Sequence, residues 1–371
     1  MAIEIQPYTA AHEPAVAEFN QRLAAGGCPF RFPEKSQPKW LPRAGENPLF
    51  EEYFVASEEA AVRGGYILKR QPFALNEETG EVGCVYLPLS EGAVDSKYSR
   101  VALQLLMNAL RKQQRLFSLG MGGFHNPYPT MLKAAGWTLI AVPFFFRIVH
   151  PNAFLKNFTL LRRKPAGRMM LDVLAATGVG HIGIKSLRKI VSTWSPSTKS
   201  IHVEVVPNFG AWADTLWSAA RESYSLAAVR DAESLNRLYD PSKEKFLRLK
   251  ISRGDTVIGL AVCLDTQMTK HKQFGAMRVG SIIDCLALPD EEDVVAQSAA
   301  QFLQDRGVDI IVSNQSHKAW QRGFTAAGFF KGPSNFIFAA SPKLVEAIKP
   351  FDKNKDRLHM NRGDGEGPSH L

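Results

Sequence analysis

Asp284 stands inside an apolar run, Ile282-Ile283-Asp284-Cys285-Leu286. A carboxylate there must reach a groove or find buried partners, and desolvation raises its pKa towards the strength of a useful base. Asn314 and His317 follow the next strand-like run, Ile310 to Ser313. These three can line one cleft and act as a catalytic group, with a base taking a proton from an attacking nucleophile and donors holding an oxyanion. A solvent-facing aspartate beside an ordinary loop histidine is the other reading. A second cluster, His125, Asn126 and Tyr128, follows the glycine-rich Gly120-Met121-Gly122-Gly123. Loops at strand ends are common binding sites, which makes these residues candidate substrate contacts, although a Gly/Pro turn that only caps the next helix has the same composition. Cys84 and Cys285 hold similar strand positions without an adjacent base, and core packing accounts for both.

The elements that must position these groups occur twice. Ile3-Glu4-Ile5-Gln6-Pro7 returns as Val203-Glu204-Val205-Val206-Pro207, and Leu132-Lys133-Ala134-Ala135-Gly136-Trp137 returns as Phe324-Thr325-Ala326-Ala327-Gly328-Phe329. Val101, Gln104 and Leu110 of one helical run have counterparts in Val294, Gln297 and Leu303. Periodicity places in each copy a strand, a helix, a three-strand meander, a long helix (100–114 and 293–306), a strand, a short helix and a closing strand. The run Thr138 to Val149 reads as one buried strand, too short for the roughly 20 residues that span a bilayer. The expected division is 1–150, a connector at 151–200 with two helical stretches, 201–341, and a polar tail at 342–371. The tail's Asn361 to Pro368 is too glycine-rich to pack by itself.

Composition sets the class. The chain has 371 residues, 45% hydrophobic and 22% charged, which suits two ordinary globular domains. The first residues lack the basic and apolar regions of an export signal, and the four cysteines lie far apart, so a cytoplasmic protein with reduced core thiols is expected. The nine histidines form no metal-binding motif, and no metal is expected. Within 151–200 nine basic residues, among them Arg162, Arg163 and Lys164, face the single acid Asp172. That segment is either a solvated connector or a platform for an anionic partner, lipid surface or RNA.

The element order in both copies, with the Ala-Ala-Gly-aromatic helix stops, resembles the GNAT acyltransferase superfamily. The resemblance implies an α/β fold of two tandem GNAT-like domains, each a mixed, mostly antiparallel sheet flanked by helices. It implies an acyl-CoA-dependent N-acyltransferase, with acetyl-CoA or another acyl-CoA as donor and a small molecule as acceptor. Tails of this kind resemble those of tandem GNAT-like proteins of bacterial polysaccharide synthesis, which makes an amine of an envelope or polysaccharide precursor the expected acceptor. In the superfamily, acyl-CoA wedges between the splayed fourth and fifth strands, and its pyrophosphate sits at the start of the long helix. The first copy places Lys97-Tyr98-Ser99-Arg100 there, so Lys97 and Arg100 are the cofactor-binding candidates. The second places Asp290-Glu291-Glu292-Asp293 there, which would repel a pyrophosphate. The tyrosine that often protonates the leaving thiolate is replaced by Leu132 and Phe324 at its usual position. Two other functions fit a doubled GNAT fold: a Fem-type transferase using aminoacyl-tRNA, and a non-catalytic protein that binds a partner or membrane surface through the connector.

Overall fold

The structure, a computed structural model, describes residues 3–157 and 200–367. The first half runs β1 (Glu4–Pro7), α1 (Glu13–Ala25), β2 (Phe50–Glu58), β3 (Ala61–Leu75), β4 (Glu78–Ser90), α2 (Val101–Lys112), β5 (Leu116–Gly120), α3 (Pro127–Ala134), β6 (Thr138–Ala141), β7 (Phe144–Ile148) and α4 (Pro151–Asn157). The second opens with β8 (Ile201–Val205), α5 (Ala211–Ala220), β9 (Leu226–Ala228), α6 (Ala232–Leu238), β10 (Leu247–Arg253), β11 (Thr256–Gln267) and β12 (Arg278–Ala287). It continues with α7 (Glu292–Asp305), β13 (Ile310–Asn314), α8 (Lys318–Ala326), β14 (Phe330–Gly332), β15 (Ile337–Ala340), α9 (Pro342–Ala347), α10 (Phe351–Asn354) and β16 (Leu358–His359). Most of the basic connector, including its second expected helix, lies outside the described residues.

The repeat read from the sequence is matched atom by atom at several points. Gly136 and Gly328 take positive φ angles of 81° and 79°, and Trp137 and Phe329 donate backbone N–H bonds of 3.0 Å to Leu132 and Phe324. Both helices therefore stop by the same glycine cap. On the meander strands, Gly64 faces α2 and Gly259 faces α7. A Cβ at Gly64 would stand 2.9 Å from Val101, and one at Gly259 would stand 2.3 Å from Val295. Each long helix thus lies directly on its sheet. In α2, Val101, Leu105, Leu106 and Ala109 are buried against Phe54, Tyr66, Leu68 and Val85, at about 1.5–3 kcal/mol for each large side chain covered.

The run 138–149 departs from a single strand. It breaks at Val142-Pro143, leaving β6 in the first sheet and sending β7 into the second. In return β15, from the second half, inserts between β5 and β6. The first sheet is ordered β1-β2-β3-β4-β5-β15-β6, and the second β14-β7-β13-β12-β11-β10-β8. Proline lacks the N–H that a central ladder needs, so it marks the point where the chain changes sheets. Val142 N–H donates to Phe336 O at 2.8 Å and Gln315 N–H to Pro143 O at 3.1 Å, which ties the two crossings together.

The tail also departs from the sequence reading. Leu358, His359, Met360 and Asn361 are fully buried, and β16 pairs with β9, which in turn pairs with the end of β3. The tail packs because both halves supply its partners.

Candidate active site

In the first sheet β4 and β5 are parallel and pair at only two positions, Gly83 with Leu116 and Cys84 with Phe117. One residue further on, a side chain replaces the backbone ladder: Ser118 Oγ donates to Val85 O at 2.7 Å. Beyond that point the strands part. Tyr128, near the start of α3, brings its hydroxyl to 2.9 Å from Ser118 Oγ, at the apex of the opening. Burial pushes this phenol well above its ordinary value, so at neutral pH it holds its proton. His125 and Asn126 are exposed on the loop before α3, where Asn126 Nδ2 donates to Met121 O at 2.8 Å. Of the three residues in that cluster, only Tyr128 reaches the apex.

Lys97 and Arg100 are both exposed at the N-terminus of α2. Arg100 is the N-cap residue and makes no side-chain capping bond, so the first turn keeps its positive end towards solvent and two cations. The corresponding end of α7 is closed. Asp293 Oδ1 accepts from Val294 N–H at 2.7 Å, and α8 packs so closely that a Cβ on Gly323 would stand 2.9 Å from Glu292 O.

The second sheet opens at the matching place. β12 and β13 pair from Val279–Ile310 to Ile282–Ser313, where Ser313 Oγ donates to Ile282 O at 2.8 Å, as Ser118 does in the first. This opening is filled by the tail. His359 Nε2 lies 2.8 Å from Cys285 O, Met360 N–H donates to Ser316 Oγ at 2.7 Å, and Arg362 Nε donates to Asn314 Oδ1 at 3.0 Å. Asp284, Asn314 and His317 are all buried beneath it, and the structure brings them together as supports of the tail. Asp284 accepts from Arg230 at 2.8 Å, Tyr239 at 2.6 Å, Asn361 at 2.8 Å and the Cys285 N–H at 2.8 Å. Arg230 also grips Asp364 at 2.9 Å, and Gly363 lies so near that a Cβ would stand 3.3 Å from Asp284 Oδ2. Burial drives the His317 imidazole down to about 4, which keeps it neutral.

Sequence reading missed a polar group on the other face of the first sheet. Cys84 and Tyr86 of β4, with Phe117 and Leu119 of β5, point away from the face that carries Val85, Ser118 and α2. Glu51 on β2 lies on that same face, 3% exposed, and accepts from the Tyr86 hydroxyl and, at 3.5 Å, from Tyr53. Lys69, between them on β3, is buried and donates to Asp364 O at 2.7 Å and Gly365 O at 2.9 Å. Burial raises the Glu51 carboxyl and lowers the Lys69 amine. The available signal was alternation: Glu51 shares its strand face with Tyr53, and Lys69 lies in the apolar meander.

No protein-family model and no curated protein matches this chain. Among solved structures, a conserved protein of unknown function from Enterococcus faecalis V583, described as a probable N-acyltransferase, is 8% identical. The match covers 91% of this chain and 72% of that one, with a TM-score of 0.50. A GCN5-related N-acetyltransferase from Anabaena variabilis ATCC 29413 is 10% identical over the same shares, also with a TM-score of 0.50. At such identities the likeness speaks for the fold, and the fold is a pair of mixed, mostly antiparallel GNAT-type sheets flanked by helices.

Proposed function

We propose that the protein is an acyl-CoA-dependent N-acyltransferase whose one working site is the opening between β4 and β5. The observation that carries this reading is the contrast between the two openings. The first has a basic, uncapped helix end beside it and a proton-holding tyrosine at its apex; the second has an acidic, closed helix end and is filled by the tail. Lys97, Arg100 and the first N–H groups of α2 receive the pyrophosphate, as a helix N-terminus receives any anion. The peptide N–H groups of β4 past Val85, released from β5, face the acyl carbonyl and stabilise its oxyanion. Tyr128, one turn before the position the family resemblance assigns to its tyrosine, gives its proton to the leaving thiolate. The acceptor is an amine, and a small envelope or polysaccharide precursor remains the expected source.

Titration with acetyl-CoA, a longer acyl-CoA and free coenzyme A, followed by calorimetry, tests the reading. The expected result is binding that K97E/R100E weakens at least about tenfold, or about 1.4 kcal/mol. Absence of binding by all three would overturn it.

A further inference from the structure

The residues of β8, Ile201-His202-Val203-Glu204-Val205, alternate apolar and polar. The pattern is the same read in either direction, with the histidine and the glutamate exchanged. We propose that β8 is an association surface for a second copy of this chain, which pairs its own β8 antiparallel about a two-fold axis at Val203.

Backbone direction carries most of the weight. β8 stands at the end of the second sheet and, among the described residues, pairs with β10 alone. Leu249 lies opposite Val205 and Arg253 opposite Ile201. In the same register Val206 N–H donates to Arg248 O at 2.9 Å and Gly254 N–H to Ser200 O at 3.3 Å. Bonded and non-bonded pairs alternate along an antiparallel ladder, so the even-numbered residues of β8 direct their N–H and C=O groups at β10. Those of Ile201, Val203 and Val205 point away from the sheet. A second copy centred on Val203 sets Val203 against Val203 and Ile201 against Val205, and all three outward residues exchange both bonds. Moving the centre to His202 or Glu204 leaves Val205 or Ile201 without a partner and sets His202 or Glu204 against itself.

The side chains fit that register. Ile201, Val203 and Val205 share the face of Leu249 and Ile251. Val205 is 53% exposed there, and Ile201 of the second copy covers it. On the other face His202 and Glu204 are exposed, and each His202 meets Glu204 of the second copy, a donor-bearing ring against a carboxylate. The remaining sheet edges suit pairing less. β1 turns Pro7 outwards, which has no N–H, β6 turns only Leu139 and Ala141 outwards, and the short β14 runs into Pro333. A ladder of 5 residues is smaller than a permanent interface, so the pair forms reversibly and with concentration.

Sedimentation equilibrium of the full chain, from about 1 μM to about 1 mM, reads the association. The expected result is a rise from the mass of one chain to that of two. H202E, which sets glutamates against each other, is expected to weaken association at least about tenfold, and H202E/E204H, which exchanges the pair, to restore it. Both positions are exposed, so the circular dichroism of these variants is expected to stay that of wild type. Mild oxidation reads the register. V203C is expected to give a disulfide-linked pair, because bonded cross-strand residues stand about 5.5 Å apart between Cα atoms, within disulfide reach. E204C, which faces His202, is expected to link far less. A wild-type chain that stays single throughout the range overturns the proposal, as does a pair that H202E leaves intact or that V203C does not link.

Discussion

Arg230 ties the core of the second sheet to the tail. It is fully buried, and its guanidinium is shared between Asp284 and Asp364, one from the core of the second sheet and one from the tail. Burial alone would lower its pKa; the two carboxylates more than reverse that, so it stays charged. Removing one member of such a set leaves uncompensated charge in a low dielectric, which costs about 3–5 kcal/mol, more than the pairing itself contributes. R230M is therefore expected to lower the unfolding free energy by about that amount in urea titration. R230M/D284N/D364N, which removes the stranded charges as well, is expected to recover most of it. A triple variant no more stable than R230M would show that the loss came from packing. Asp284 illustrates what sequence can and cannot say at this scale. Its strand context left open a groove, buried partners or a solvent-facing place; the partners it has lie 54 and 77 positions away in sequence, at Arg230 and Asn361, and no local pattern points to them.

At the scale of elements, the same sequence features were read with more success. Strand alternation, the two long helices and the glycine stops follow from periodicity and φ preference, which are local, and the structure repeats them in both halves. The acidic and basic starts of α7 and α2 are local too, and they distinguish the openings. The tail escaped because its packing depends on surfaces built elsewhere. Its ring system shows this: His359 stacks on Tyr224 at 4.6 Å and on Trp320 at 6.0 Å, and His317 meets Tyr224 edge-on at 5.0 Å. Burial holds both imidazoles neutral; Arg322 and Arg357 near His317 add to the effect, and Asp356 opposes it. The sign follows. His317 drops from 6.5 to about 4 on folding, so between those values the unfolded chain binds the proton and the folded one does not. Stability is full above pH 6.5 and falls as pH is lowered towards 4, by on the order of 3 kcal/mol from this residue. H317F, which keeps a ring against Tyr224, is expected to flatten that decline in denaturation curves measured across the range. An unchanged slope would place the acid sensitivity elsewhere.

At the scale of the whole molecule, the two sheets share strands from both halves of the chain. Strands cross between the halves: β7 of the first lies between β13 and β14, while from the second β15 lies between β5 and β6 and β9, with β16, joins the end of β3. The sequence repeat places a closing strand after each short helix, and a local reading pairs each strand with its own copy. The physical reason for the exchange is that β5 and β13 each need an antiparallel neighbour on the side away from β4 and β12. The link Val142-Pro143 closes no hairpin: Val142 N–H bonds to Phe336 O and Pro143 O accepts from Gln315 N–H, and β7 passes to the other sheet. The interface is therefore made of main-chain ladders as well as of side chains such as Arg237, which donates to Leu49 O and Pro42 O across it. An unpaired β5 is an exposed edge, and such edges drive aggregation. A fragment of residues 1–150 is expected to be insoluble or to lack a cooperative unfolding transition. Co-expression with a fragment of residues 200–371, which carries β15 and the tail, is expected to give a soluble complex that purifies as one species. If the first fragment instead unfolds cooperatively alone, its sheet closes without β15, and the opening between β4 and β5 would belong to one half rather than to the pair.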